Sequence, residues 1–265
     1  MNAIKLRLRY CNLYGYEQWG ITEHDIGHSF LEVELPCAET TLVLVDVWDR
    51  HYLTSHQRRA AEIVREKIVP VADACRRVGI AVVHAPASPA AQRYEQWLRY
   101  AGDEELFGTA GAPSPWPPEE FRQRTGRYAQ YAKAAPKGEF AEKLAASNEE
   151  RRIMPEIEPA PGDFVVASGA HLRRLCRHRG ILHLLYCGFA TNMCVMARDY
   201  GIRAMSSHGY SCILLRDGTT GIESAETIES MTCTRAAIWE VEMVWGFTCT
   251  CDEVIAACHA ASSEP

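Results

Sequence analysis

Five short apolar runs, each followed by a stretch with helical spacing, constrain this chain more than any other feature. Thr41–Asp46 (TLVLVD), Ile80–Ala85 (IAVVHA), Asp163–Ala167 (DFVVA), Leu182–Cys187 (LHLLYC) and Ser211–Leu215 (SCILL) are rich in Val, Ile and Leu. Each is too short for a helix, and the apolar residues fall on both faces. Such runs belong to parallel strands covered by helices on both sides. Val244–Thr248 is a weaker sixth run.

The intervening stretches complete the alternation. Ser55–Val78 spaces Ile63, Val64, Ile68, Val71 and Ala74 for one buried helix face, and Gly79 stops it. Ala170–Arg179 ends at Gly180, and helices are expected at Asn192–Met205 and Ile222–Glu240. Strand, helix, strand at this spacing predicts a doubly wound α/β fold. The expected sheet is six-stranded and mostly parallel, in the order 3-2-1-4-5-6, with helices on both faces.

Two regions fall outside this rhythm. Residues 1–40 form an N-terminal extension in which Ile4, Leu6 and Leu8 alternate with Lys5, Arg7 and Arg9, as expected of a β-hairpin on a sheet edge or a partner subunit. The main domain is then 41–260, interrupted by an excursion at 101–160 that starts Gly/Pro-rich over Phe107–Pro118. Its aromatics Trp116, Phe121, Tyr128 and Tyr131, and the preceding Tyr94, Trp97 and Tyr100, suit a pocket wall, a subunit interface or plain core packing.

Composition removes several classes of function. The 265 residues carry 28 Lys+Arg against 34 Asp+Glu, a net charge of -6, which argues against a nucleic-acid partner. No apolar run reaches the ~18 residues of a membrane span. The first twenty residues hold charges throughout and no secretory core, so a cytoplasmic location is expected. Eleven cysteines, with no CxxC among them, read as reduced, packed thiols rather than zinc ligands.

Chemistry in an open α/β sheet gathers at the carboxyl ends of its strands. The first run ends in Asp46, followed by Trp48, Asp49, Arg50 and His51. The fourth runs into GFATNMCV, Gly188–Val195, which puts Cys194 in the first turn of a helix. There the helix dipole favours a thiolate and open amides can hold an oxyanion. Taken singly, Asp46 is equally a turn cap and Cys194 a packed thiol.

Together these segments resemble the isochorismatase-like cysteine hydrolases. GFATNMCV is similar to the family's nucleophile segment, TLVLVDVWD to its Asp-bearing strand and LLRDGTTG (Leu214–Gly221) to its late strand. The resemblance covers roughly residues 40–255 without the excursion. It implies Cys194 as the nucleophile on an amide, ureido or carbamoyl carbon, through a thioester, and Asp46 as general base and acid. It also implies an oxyanion hole from the amides of Ala190 and Cys194, after a cis Phe189–Ala190 peptide. Trp48, Asp49, Phe189 and Asn192 are candidate pocket residues. The expected partners are a small-molecule substrate and further copies of this chain, in a homo-oligomer.

Two family features are missing. The family's third residue is a Lys at the end of the third strand, where this chain has Ala167 and Ser168. Lys137 or Lys133 from the excursion, or His171 after the third strand, are the candidate substitute cations. Without one, a catalytically silent binding or scaffold protein is the alternative. The metal-binding Asp and His pair of nicotinamidases also has no counterpart after Ile80–Ala85. Asp49, His51 and His56 lack the facing spacing of a metal site and read as solvated or capping groups. No cofactor or metal is expected.

Overall fold

The computed structural model describes residues 2–97 and 116–263. They fall into two compact units, 1–98 with 151–265, and 99–150. The first unit holds an eight-stranded sheet. Its strands are β1 (Ala3–Cys11), β2 (His28–Pro36), β3 (Thr40–Val45), β4 (Ala81–Ala85), β5 (Phe164–Val165), β6 (His183–Phe189), β7 (Ser211–Thr220) and β8 (Phe247–Cys249). Their spatial order is β2-β1-β8-β7-β6-β3-β4-β5.

The six strands from β3 to β8 follow the order expected from the apolar runs, and every pairing among them is parallel. The sheet is wider than six because the hairpin β1–β2 pairs antiparallel along its full length and adds to the β8 edge. β3 lies in the interior, and all six of its residues are buried. Its side chains alternate between two cores. Leu42 and Leu44 join a cluster with the helices Thr54–Ile63, Val69–Arg77 and Cys251–Ser263. Val43 and Val45 join another with Gly169–Arg179 and Ile202–Ser207. Burial of each such side chain is worth roughly 1.5–3 kcal/mol before entropy is charged against it. These four residues therefore fix both faces of the strand that ends in Asp46.

Two expected helices are shorter than their periodicity suggested. Asn192–Met205 breaks after a π-helical turn at Thr191–Val195, and its helix resumes only at Ile202. Arg198, whose amide still donates to the Cys194 carbonyl at 3.1 Å, and Tyr200, beyond the break, both reach Asp46. Ile222–Glu240 is helical only over Thr232–Glu240. Residues before it are held as turns by Glu223, whose carboxylate accepts from the amides of Cys233 and Thr234. The helix Gly169–Arg179 closes on Gly180 in the left-handed conformation, φ 73°.

The second unit contains the helices Glu119–Gln123 and Gly138–Glu150 and a 3-10 segment at Gly126–Tyr131. Phe121 packs edge-on against Tyr128 with ring centroids 5.1 Å apart, so these aromatics pack on one another. Tyr100 and residues 107–115 lie outside the described residues. Tyr94 accepts a hydrogen bond from the Ile153 amide at 2.8 Å, and Trp97 packs near His171, both inside the first unit.

Candidate active site

β3 and β6 run side by side, with Val45 opposite Gly188. A Cβ at Gly188 would lie 2.0 Å from the Val45 carbonyl oxygen, so only glycine permits this approach. The two strand ends are thereby brought together. β3 hands over to Asp46, whose amide still donates to the Ala85 carbonyl at 3.0 Å. Asp46 itself adopts φ 47°, the left-handed region that Asp tolerates better than most residues. β6 hands over to a cis Phe189–Ala190 peptide and then to the π-helical turn that carries Cys194.

The Asp46 carboxylate is buried and saturated with partners. Arg198 Nε and a terminal guanidinium nitrogen both reach Oδ2 at 2.9 Å. The Tyr200 hydroxyl donates to Oδ1 at 2.9 Å. The Cys194 thiol and the Asp46 carboxyl bear on one another's charge. Burial pushes the Asp46 carboxyl above the usual carboxylate range, against the opposing pull of Arg198, the thiol and Tyr200. Burial and the Asp46 charge push the Cys194 thiol up to about 12, opposed by Arg198 and by a hydrogen bond from the Ala190 backbone. At rest the sulfur therefore keeps its proton, beside a carboxylate poised to take it.

The pair lies at a cavity of about 220 Å³ lined also by Trp48, Phe189, Arg151, His51 and His56. This is below the ~300–1,000 Å³ of drug-sized sites, which suits a small substrate. The Arg151 guanidinium lies 3.7 Å from the centroid of the Trp48 ring. Its charge bears on both Asp46 and Cys194.

Several sequence expectations need correction. The cation beside Asp46 is Arg198, and His171 does not take that place. Lys133 and Lys137 belong to the second unit. His171 is fully buried in the helix Gly169–Arg179, where Nδ1 accepts from the Ala167 amide at 3.4 Å. Ser168 caps that helix by accepting from the His171 amide, so the end of β5 does structural work. Trp48 and Phe189 line the cavity, whereas Asp49 and Asn192 do not. Asp49 ties its loop to Arg152, accepting from its amide at 2.9 Å and pairing with Arg50. Asn192 clamps Ile222 through its amide and carbonyl, each at 2.9 Å. Asp217, in the late-strand segment, accepts from the Cys251 amide instead.

His56 is buried rather than solvated, and with His51 it lines the cavity. Among the described residues no group of three or more His, Cys, Asp or Glu is arranged to hold a metal. Arg198, Tyr200 and Arg151 escaped the sequence reading. For Arg198 a signal existed, because it follows Cys194 by four residues and so shares a helix face with it. Arg151 and Tyr200 had none, since tertiary folding alone brings them in.

Comparison with known proteins bears on the fold and the family. Over 119 residues the chain is 29% identical to the ureidoacrylate amidohydrolase RutB of Variovorax paradoxus (strain S110), a match covering 42% of this chain and 44% of that protein. Over 124 residues it is 31% identical to the protein of the same name from Enterobacter sp. (strain 638), covering 42% of this chain and 49% of that one. The match thus spans less than half the length of either curated relative. The fold is similar to that of a cysteine hydrolase from Pseudomonas syringae pv. phaseolicola 1448A, with a TM-score of 0.54 and 17% identity over 86% of this chain and 95% of that one. The family described as Isochorismatase domain matches residues 40–241, well over half of the chain. With that match and a fold to support it, the chain belongs to the isochorismatase family.

Proposed function

We propose that this chain is a cysteine hydrolase that cleaves the C–N bond of a small amide, ureido or carbamoyl compound through a thioester on Cys194. The observation that carries the reading is the buried Asp46 carboxylate, bonded to Arg198 and lining one cavity with the Cys194 thiol, whose protonation it influences. Amidohydrolase names among the relatives support the reaction class.

Asp46 takes the thiol proton as Cys194 Sγ forms its bond to the carbonyl carbon. The amides of Ala190 and Cys194 receive the oxyanion. The C–N bond then breaks as Asp46 returns the proton to the departing amine, leaving the thioester. Water, losing a proton to Asp46, attacks the thioester carbon, and the thiol leaves with that proton. Arg198 holds Asp46 in place and keeps its carboxylate ionised between these transfers. It thus supplies the positive charge that the family draws from a Lys.

The test is a screen of ureido, carbamoyl and primary amide compounds for ammonia release, with Cys194→Ala as control. Alkylation by iodoacetamide gives a readout that needs no substrate. Cys194 and Cys233 are both half-exposed thiols, so Cys233 serves as an internal reference. Selective loss of Cys194 supports the reading. Equal sluggishness of the two thiols, with no ammonia released, would leave only a silent binding protein.

A further inference from the structure

Two imidazoles line the same cavity as the Asp46–Cys194 pair, and their hydrogen bonds fix which nitrogen carries the proton. The Leu53 amide donates to His51 Nδ1 at 3.1 Å. That nitrogen must therefore hold a lone pair, which leaves the proton on Nε2. His56 Nδ1 lies 3.2 Å from the Gly221 carbonyl oxygen. A carbonyl can only accept, so His56 carries its proton on Nδ1 and presents a bare Nε2. The rings have centroids 5.0 Å apart. Tyr52 stacks on His51 at 4.5 Å, and Phe189 meets His56 edge-on at 6.1 Å, so both rings are held in orientation.

Charge around the pair keeps both rings neutral. Burial and Arg151 depress His51. Burial, His51 and Arg59 depress His56 to about 4, against the bond to Gly221. The cavity wall thus offers one imidazole donor and one imidazole acceptor side by side. The groups that bear on the Cys194 thiol are Asp46, Arg198 and the Ala190 backbone.

We propose that His51 and His56 form a neutral donor–acceptor pair that selects substrates with a second carboxamide or ureido group beyond the scissile carbonyl. His51 Nε2–H donates to the carbonyl oxygen of that group, and its N–H donates to His56 Nε2. An ester or ketone in the same place satisfies His51 but leaves the buried His56 acceptor without a donor, which is the costly outcome. This deepens the hydrolase reading and rests on it for the word substrate, although the binding event does not require turnover.

The experiment uses the Cys194→Ala variant, so that no probe is consumed, with long-range proton–nitrogen NMR of the imidazoles. At pH 7, His56 is expected as the Nδ1–H tautomer and His51 as the Nε2–H tautomer. Malonamide, methyl malonamate and acetoacetamide are then titrated in turn. Malonamide is expected to shift both rings and to bind about tenfold or more tightly than the other two, the scale of one unsatisfied buried partner. His56→Phe, in the same background, is expected to bring the ratio of malonamide to methyl malonamate affinity to about one. The proposal is overturned if His56 carries its proton on Nε2 or is cationic at pH 7. It is also overturned if the three probes bind alike, if none binds, or if His56→Phe keeps the preference. Those outcomes leave the alkylation test of Cys194 untouched, so failure here is separate from failure of the hydrolase reading.

Discussion

Replacing Arg198 with alanine tests the substitution of an arginine for the family's lysine. The guanidinium reaches Asp46 Oδ2 at 2.9 Å, and the carboxylate side chain is fully buried while Arg198 is 37% exposed. Two unit charges at ~4 Å interact by roughly 4 kcal/mol at an effective dielectric constant of ~20. Partial exposure of Arg198 screens this, and halving it leaves about 2 kcal/mol, equivalent to roughly 1.5 pH units on the carboxyl. The Asp46 carboxyl already stands above its ordinary range because of burial. Arg198→Ala should push it higher still, so that less of the base is ionised at neutral pH.

The expected result is an acid limb of kcat/KM, or of Cys194 alkylation by iodoacetamide, displaced upward by about 1–2 pH units. At pH 7 the rate falls, by at most the roughly 10- to 100-fold that such a shift allows, and part of it returns at pH 9. Arg198→Lys, which keeps a cation on the same side, should retain most of the rate. Stability supplies a second readout. A carboxyl whose folded pKa lies above its unfolded value favours the folded state at low pH and loses that contribution as pH rises through the folded value. Melting temperature of Arg198→Ala should therefore drop more steeply than that of the parent between pH 5 and pH 8. An unmoved acid limb together with a parental melting profile would refute the role given to Arg198.

Other predictions follow from the same contacts. Cys194→Ala should abolish ammonia release without lowering the melting temperature, by activity assay and calorimetry on one preparation. Gly188→Ala should cost at least ~3 kcal/mol, read as a melting temperature lower by roughly 6–12 °C, because its Cβ meets the Val45 carbonyl at 2.0 Å. Ser168→Ala should lose about 1 kcal/mol of helix capping and leave kcat unchanged, as a structural role at the end of β5 requires. Acid should destabilise the fold through His56, whose folded value of about 4 lies below its ordinary 6.5. That contribution, roughly 3 kcal/mol, is present above pH 6.5 and is lost as pH falls toward 4. His56→Gln should flatten denaturant midpoints across that window.

What the sequence disclosed, and what it hid, divides along a physical line. β3 announced itself because both its faces are buried, so Leu42, Val43, Leu44 and Val45 had to be apolar together. Cys194 was legible because its segment GFATNMCV announces a helix start, whereas the close approach that demands glycine at 188 appears only in the paired strands. The second half of the site follows a different rule. Tyr200 reaches Asp46 because the helix after Cys194 breaks before it, and a periodicity that predicts an unbroken helix points it elsewhere. The sequence offers Lys133, Lys137 and His171 as replacement cations because the lysine that the family keeps on the third strand is absent. Electrostatics imposes no such address. A buried carboxylate needs a positive neighbour within a few ångströms, from any element that can deliver one. Here the element that carries the nucleophile also carries the counter-charge, four residues on. Base and thiol are therefore linked through one helical segment, and a mutation that slides this segment should disturb both at once.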